Sequence, residues 1–240
     1  MIKSAEIIII GGGIIGSSLA YHLSKLGIRD ICLLEKGELA SGSTGDSAAI
    51  IRHHYTNEIS IRLVKDSINI LSELQHETGN HFLHQNGWVF LCPENADSMF
   101  DLNMKQLIDL GIETKEIDIK NTISLLPNIN PTGISKVAYE PDSGYADPKS
   151  VVESFAKIAK TNGTNIYTNT KVIGISKSNN QINSVETDKG NIKTNKVINA
   201  AGPWAYDISM LAGINLPLTV SREQEIMLTN PEQESGLNLS

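Results

Sequence analysis

The sequence has few cysteines, and no apolar run in it is long enough to cross a membrane. Cys32 and Cys92 are the two cysteines, and neither belongs to a Cys-x-x-Cys or Cys/His metal spacing. Both lie inside apolar runs, so we interpret them as buried thiols of a reducing compartment and expect a cytoplasmic location. The apolar run near the N-terminus has four isoleucines and ends in glycines, without a cleavage site. We therefore expect no export signal and no membrane span.

The chain also has fewer basic than acidic residues. The chain has 20 Lys and Arg against 27 Asp and Glu, which gives a net charge of −7. A surface of this sign argues against general nucleic-acid binding, which needs a basic patch. The hydrophobic content of 40% is that of a soluble globular chain. No group of potential ligands has the spacing of a metal site, so we expect no metal.

The first 35 residues have the pattern of a βαβ unit that binds a dinucleotide. A β-branched run at 6–10 precedes Gly11-x-Gly13-x-x-Gly16, an amphipathic helix follows, and a second apolar strand ends at Glu35. The first glycine allows a tight turn, the second lets a pyrophosphate approach the backbone, and the third lets helix and strand pack closely. The helix N-terminus offers N–H groups to phosphates, and an acid about 20 residues further on can bind a ribose hydroxyl.

The rest of the chain alternates between helical and strand patterns. Residues 37–57 are rich in small side chains, which predicts a loop or broken helix pressed against a neighbour. The other predicted elements are a helix over 58–77, a strand over 87–92, a helix over 96–110, a strand over 137–140, a loop over 141–148, a helix over 149–161, strands over 165–175, 181–187 and 191–198, a helix from 203, and a strand over 218–228.

Two later segments favour FAD over NAD as the dinucleotide. The stretch SGSTGDSAAIIR at 41–52 is rich in hydroxyls and glycines and can line a long cofactor. The stretch VINAAGPW at 197–204 predicts a buried strand that returns to the first domain and ends in small residues. These residues alone do not exclude the alternative of an NAD-linked dehydrogenase.

These motifs together resemble the D-amino-acid-oxidase-like FAD-dependent oxidoreductases, in particular sarcosine oxidase and L-proline dehydrogenase β-subunits and glycine oxidase. The segments that carry the resemblance are GGGIIGSSLAYHLSKLG, LLEKGELASGSTGDSAAIIRHHY, PDSGYADP and VINAAGPWA, and they cover essentially the whole chain. The resemblance implies an α/β fold, with a Rossmann-like FAD-binding domain and an interleaved, mostly antiparallel α+β substrate domain. It also implies oxidation of a small secondary or primary amino acid, such as sarcosine or proline, by hydride transfer to the flavin.

The resemblance divides the chain into alternating parts of these two domains. The FAD-binding part is expected at 1–86 and again at 148–215, and the substrate part at 87–147 and from 216 to 240. Family members continue well beyond this length. We therefore expect either a fragment or a chain that a partner subunit completes. The sequence does not identify the partner or the electron acceptor. A truncated or non-catalytic FAD-binding subunit is the alternative to an active enzyme.

The resemblance also assigns individual residues. Arg52 would bind the substrate carboxylate, for which its planar fork is suited. His53 and His54 after it have no partner acid at a fixed spacing, so we expect one to pack in the core and one to be solvated. In some sarcosine oxidases an arginine lies three residues earlier, where this chain has Ala49. The residues assigned to FAD are Gly11, Gly13, Ile14, Ile15, Gly16, Glu35, Lys36, Ser43, Thr44, Ser47, Ala48, Ile50, Val172, Ala200, Ala201, Gly202 and Trp204.

Overall fold

The computed structural model describes residues 1–226 of the chain. Its strands in that range are β1 (Ile7–Ile10), β2 (Ile31–Leu34), β3 (Ile50–Ile51), β4 (Leu83–His84), β5 (Trp88–Pro93), β6 (Lys115–Glu116), β7 (Ile134–Glu140), β8 (Gly144–Ala146), β9 (Asn165–Tyr167), β10 (Val172–Ser178), β11 (Gln181–Thr187), β12 (Gly190–Lys193) and β13 (Val197–Asn199). The helices are α1 (Ile14–Lys25), α2 (Glu58–Thr78), α3 (Asp97–Asp109), α4 (Ile119–Leu125), α5 (Pro148–Thr161) and α6 (Ala205–Leu211).

A parallel sheet with the strand order β13-β1-β2-β9 lies between two other layers. Ile7 and Ile9 of β1 face a cluster with residues of α1 and α5, while Ile8 and Ile10 face a cluster with residues of the antiparallel sheet β10-β11-β12. Strands covered on both faces have continuous apolar sequences, which explains the run of isoleucines. Each fully buried isoleucine contributes about 1.5–3 kcal/mol. The predicted α/β fold class is confirmed.

Two further sheets, both antiparallel, are formed mainly by the segment between α2 and α5. Their strand orders are β5-β7-β6 and β3-β8-β4, and helix α3 packs on β5 and β7. The helices predicted over 58–77 and 96–110 are present as α2 and α3. The helix predicted over 149–161 is present as α5, and Asp147 caps it by accepting hydrogen bonds from the N–H groups of Lys149 and Ser150, both at 3.0 Å.

Both cysteines are buried, as the apolar runs around them predicted. Cys32 is in the central sheet and Cys92 is in β5, against α3. Burial raises the pKa of the Cys32 thiol to about 12, with the nearby charge of Asp30 adding to the effect. Cys32 is therefore an unreactive core residue.

Two segments that were each predicted as one continuous strand are divided in the structure. The strand expected over 165–175 is two strands, β9 and β10, which belong to different sheets. Between them Asn169 has a φ of 50°, and the N–H of Thr170 donates to the carbonyl of Glu35 at 2.8 Å. The strand expected over 191–198 is likewise divided, into β12 and β13. Here the chain passes from the antiparallel sheet to the parallel sheet.

Two further predictions differ from the structure. The strand expected over 218–228 is absent over 218–226, where no neighbouring strand pairs with the chain, and residues 227 and 228 lie outside the described part. The loop expected over 141–148 contains β8, which pairs with both β3 and β4. Among residues 1–226, no helix combines the length and apolarity that crossing a membrane requires.

Candidate cofactor site

A cavity of about 870 Å³ opens where β1, β2 and β13 end. Ile10 pairs with Leu34 on one side and Asn199 on the other, so the residues that follow these three strands meet at one edge of the sheet. This edge, at the carboxyl ends of parallel strands, is where α/β sheets bind their ligands. The volume lies in the range of small-molecule and cofactor sites.

The glycine-rich turn has its shape because no side chain fits at two of its positions. Gly11 has a φ of 114°, and a Cβ there would overlap the carbonyl oxygen of Ala200. A Cβ on Gly16, in the first turn of α1, would overlap the carbonyl oxygen of Gly11. The glycines therefore let the turn, the helix and the end of β13 approach each other closely. The backbone of this turn forms one wall of the cavity.

Glu35 connects the end of β2 to the glycine-rich turn. One carboxylate oxygen accepts a hydrogen bond from the N–H of Gly12 at 2.7 Å, and the other accepts one from Gly37 at 2.8 Å. A carboxylate can accept about four hydrogen bonds, so Glu35 retains capacity for donors in the cavity that it lines. Glu35 can therefore fix the turn and bind a hydroxyl at the same time.

The hydroxyl-rich segment and the Gly-Pro-Trp turn meet across the cavity. Thr44 accepts a hydrogen bond from the N–H of Ile14 at 3.1 Å, which places it at the N-terminus of α1. The Lys36 ammonium lies 3.3 Å from the centroid of the Trp204 ring, as a cation–π pair. The same ring lies against Gly42, where a Cβ would come within 3.1 Å of it.

Most of the residues assigned to FAD from the sequence line this cavity. They are Gly11, Gly13, Ile14, Ile15, Glu35, Lys36, Ser43, Thr44, Val172, Ala200, Ala201, Gly202 and Trp204. The other assigned residues do not line it; they are Gly16, Ser47, Ala48 and Ile50. Gly16 packs beneath the turn, and the chain after Thr44 leads away to β3, which belongs to another sheet.

The cavity has further lining residues that the sequence reasoning missed. They are Ile10, Leu34, Ser41, Gly42, Thr170, Lys171, Ile173, Pro203, Asp207, Ile208 and Leu211. Asp207, Ile208 and Leu211 occupy one face of α6, and their helical spacing after the Gly-Pro-Trp turn was a usable indication. Thr170 and Lys171 could not be found this way, because they belong to the link that was predicted as continuous strand.

Arg52 lies outside the lining of the cavity, just after β3. Its side chain is half-buried, donates a hydrogen bond to the backbone carbonyl of His54, and stacks on Tyr55 with 4.5 Å between the guanidinium carbon and the ring centroid. The guanidinium thus has a defined direction, which a solvated surface arginine lacks.

The expectation for the two histidines after Arg52 is wrong, because both are buried and both contact an acid. His53 and His54 are 4% and 6% exposed, and Glu140 at the end of β7 is fully buried. Nδ1 of His54 lies 3.2 Å from one oxygen of Glu140, and the other oxygen accepts from the backbone N–H of His53 at 3.0 Å. Ser143 donates to that second oxygen at 2.8 Å. Sequence spacing could not indicate an acid so far away along the chain.

Burial and hydrogen bonding oppose each other in this cluster. Burial by itself raises the pKa of Glu140, but the hydrogen bonds from His54, Ser143 and the His53 backbone together outweigh it and hold the pKa below its ordinary value. Burial lowers the pKa of His53, against the opposing effect of the Glu140 charge. Glu140 is therefore a buried carboxylate, and His53 is neutral at neutral pH.

Comparison with known proteins identifies the family. A family model described as FAD dependent oxidoreductase (DAO) matches residues 6–239. The chain belongs to this family. FAD is thus the family's cofactor, and the NAD-linked alternative is set aside. The glycine-rich cradle, the carboxylate of Glu35 and the size of the cavity all fit such a dinucleotide.

The relatives of this chain are named for several different functions. Dimethylglycine dehydrogenase of Rattus norvegicus is 34% identical over 232 residues, which are 95% of this chain and 27% of that protein. The pyruvate dehydrogenase phosphatase regulatory subunit of Mus musculus is 32% identical over 231 residues, 95% of this chain and 26% of that protein. Sarcosine oxidase subunit beta of an Arthrobacter species is 29% identical and covers 90% of this chain and 55% of that one.

The fold of the family is seen in solved structures as well. L-proline dehydrogenase from P. horikoshii has a TM-score of 0.84 and 32% identity, over 89% of this chain and 57% of that chain. The present chain thus spans about a quarter of the length of the first two curated relatives and somewhat more than half of the solved one.

Glu35→Ala is expected to weaken FAD binding by about 1.5–3 kcal/mol, because it removes a charged acceptor from the cavity and leaves the N–H groups of Gly12 and Gly37 without partners. The measurement is a titration of FAD fluorescence. Glu38→Ala is the control, since Glu38 bonds to exposed Asn169 nearby and does not line the cavity. An unchanged FAD affinity in Glu35→Ala would contradict the ribose assignment.

Proposed function

We propose that the protein oxidises the C–N bond of a small secondary or primary amino acid, such as sarcosine or proline, with FAD as its cofactor. The observation that carries the proposal is the cavity at the carboxyl ends of β1, β2 and β13, with its glycine-rich turn and Glu35. Membership of the FAD-dependent family supports the cofactor. Relatives named for dimethylglycine, sarcosine and proline support the substrate class.

The assigned residues divide into those that would hold the cofactor and one that would hold the substrate. The glycine-rich turn, with the main-chain N–H groups of Gly13 and Ile15, would hold the diphosphate at the N-terminus of α1, and Glu35 would accept from the ribose. The other assigned residues that line the cavity would contact the rest of the cofactor. When bound, the flavin supplies the acceptor for the hydride.

Arg52 would orient the substrate by its carboxylate. A guanidinium stays charged and offers two parallel donors, which match a carboxylate group. Substrates of the proposed class carry a carboxylate close to the amine nitrogen, so this anchor would help to orient the C–H bond to be broken. The division into FAD-binding parts at 1–86 and 148–215 and substrate parts at 87–147 and 216–240 belongs to this proposal.

A cofactor-binding subunit without turnover is the second candidate. The relative named as a regulatory subunit is similar over 95% of this chain, so the same fold occurs in a protein whose name describes no oxidation. The relative named as a β-subunit supports a partner subunit for either candidate. A cytoplasmic location is also proposed, supported by the two buried free thiols, although several relatives are named as mitochondrial.

A visible absorption spectrum tests the cofactor, and a dye-reduction assay tests the reaction. The purified protein is expected to be yellow, or to gain the two flavin absorption bands when FAD is added. A colourless protein that binds NADH and ignores FAD would refute the cofactor assignment. With FAD bound, reduction of an artificial dye by sarcosine or proline supports the enzyme. FAD binding without dye reduction, in protein that is extended to the length of its relatives or paired with a partner subunit, supports the non-catalytic subunit.

A further inference from the structure

The buried cluster around Glu140 is separate from the FAD cavity, and the function proposed above does not use it. None of His53, His54, Glu140 and Ser143 lines that cavity. The cluster joins two segments distant in sequence, the residues after β3 and the end of β7. Its carboxylate receives contacts from three groups: the His54 ring, the His53 backbone and the Ser143 hydroxyl. A charge this deeply buried is costly unless such partners are held in place.

His54 connects this cluster to Arg52. Its ring is fixed on one edge by Glu140 at 3.2 Å and on its face by Phe90, whose ring centroid is 3.9 Å away in a stacked arrangement. Its backbone carbonyl accepts the hydrogen bond from the Arg52 guanidinium. The acceptor that directs Arg52 therefore belongs to a residue that Glu140 and Phe90 hold rigidly.

The segment is also held on the other side of Arg52. Ile51 pairs with Gly144 in the β3–β8 ladder, directly before Arg52. Glu140 and Gly144 stand at the two ends of the short turn that joins β7 to β8. The β7–β8 turn thus holds the backbone on both sides of Arg52. Gly144 pairs with the residue before it, and the Glu140 carboxylate accepts from the residue after it.

We propose that Glu140 is a positioning residue, which fixes the direction of the Arg52 guanidinium by holding His54. That this direction serves to meet a substrate carboxylate rests on the proposed function. The fixing of Arg52 does not rest on it, since the contacts that carry it lie entirely within the chain. If Glu140 only neutralised buried donors, its loss would affect stability and leave Arg52 unchanged.

The guanidinium of Arg52 can be observed directly by ¹H–¹⁵N NMR of the full chain. Its resonances are assigned by their loss in Arg52→Lys. In the wild type we expect them to be resolved and protected from exchange with water. In Glu140→Gln we expect them to shift and to exchange about tenfold faster, because the neutral amide holds the His54 ring less firmly. His54→Phe retains the stacking on Phe90 and loses Nδ1, so it should have the same effect.

Ser143→Ala is the matched control. Ser143 donates to the same carboxylate and otherwise contacts His53, so its removal leaves the contacts from Glu140 to His54 and from His54 to Arg52 in place. Its Arg52 resonances should remain as in the wild type. Folded Glu140→Gln or His54→Phe protein with unchanged Arg52 resonances would overturn the proposal, and so would unprotected Arg52 resonances in the wild type. If Glu140→Gln does not fold, His54→Phe decides alone.

A second measurement tests the connection to the substrate. Acetate, as the smallest carboxylate, is titrated into the FAD-loaded protein and followed by the flavin absorption. Glu140→Gln should lose about as much acetate affinity as Arg52→Lys, and the double variant should lose no more than either alone. Additive losses would overturn the assigned path. If FAD does not bind even to the wild type, the proposed function fails while the NMR measurement still decides the role of Glu140.

Discussion

Gly16→Ala is expected to abolish FAD binding at micromolar concentrations. The added Cβ would overlap the carbonyl oxygen of Gly11, and because the backbone fixes the positions of both atoms, no side-chain rotation can relieve the overlap. Either α1 moves away from β1 or the glycine-rich turn changes shape, and both displace the N–H groups that would hold the diphosphate. Overpacking of this kind also costs about 1–3 kcal/mol of folding free energy.

The matched control is Gly27→Ala, at the other end of the same helix. A Cβ there would have no neighbour within 4 Å, and the φ of 90° adds only backbone strain. This variant should lose about 1 kcal/mol of stability and retain FAD affinity. FAD titration and thermal unfolding are measured on both variants. Gly16→Ala protein that binds FAD like the wild type would show that close approach at the turn is not required.

The central sheet could be predicted from the sequence because its evidence is local. β1, the glycine-rich turn, α1 and β2 follow one another in 35 residues. In each strand and helix, the spacing of apolar residues indicates which positions are buried. The meeting of Gly11, Glu35 and Ala200 at one edge follows from the rule that parallel strands align their carboxyl ends. Much of the lining of this cavity could therefore be predicted from the sequence, but Thr170 and Lys171 could not.

The remaining features depend on contacts between distant segments. Alternation in the chain predicts strands at 165–175 and 191–198 but does not say that the chain changes sheet within each of them. The position of Asn169 in the left-handed region is the local event that divides the first strand. Similarly, the buried His53 and His54 contact Glu140, which lies more than 80 residues away in sequence. Such a pairing leaves no trace in the spacing of either segment.

In protein extended to the length of its relatives, or completed by a partner subunit, Arg52→Ala is expected to lower kcat/KM for sarcosine or proline in the dye-reduction assay. The loss corresponds to about 2–4 kcal/mol of transition-state stabilisation. The variant removes the one side chain assigned to the substrate carboxylate, so the substrate loses both a charge-assisted bidentate contact and its orientation. FAD affinity should remain unchanged, because Arg52 does not line the cofactor cavity. Arg52→Lys retains the charge without the planar fork, and its activity should lie between those of the wild type and the alanine variant.

Arg62→Ala is the control that separates this specific role from a general effect of charge. Arg62 is an exposed arginine on α2 whose partner is Glu58 at 2.8 Å, an ion pair of the surface kind that contributes little. Its removal should leave kcat/KM unchanged. An amine substrate without a carboxylate provides a second check, since its turnover should be equal in wild type and Arg52→Ala. Equal activity of wild type and Arg52→Ala on proline would remove Arg52 from the substrate site. The contacts by which Glu140 positions Arg52 through His54 would then serve only the fold.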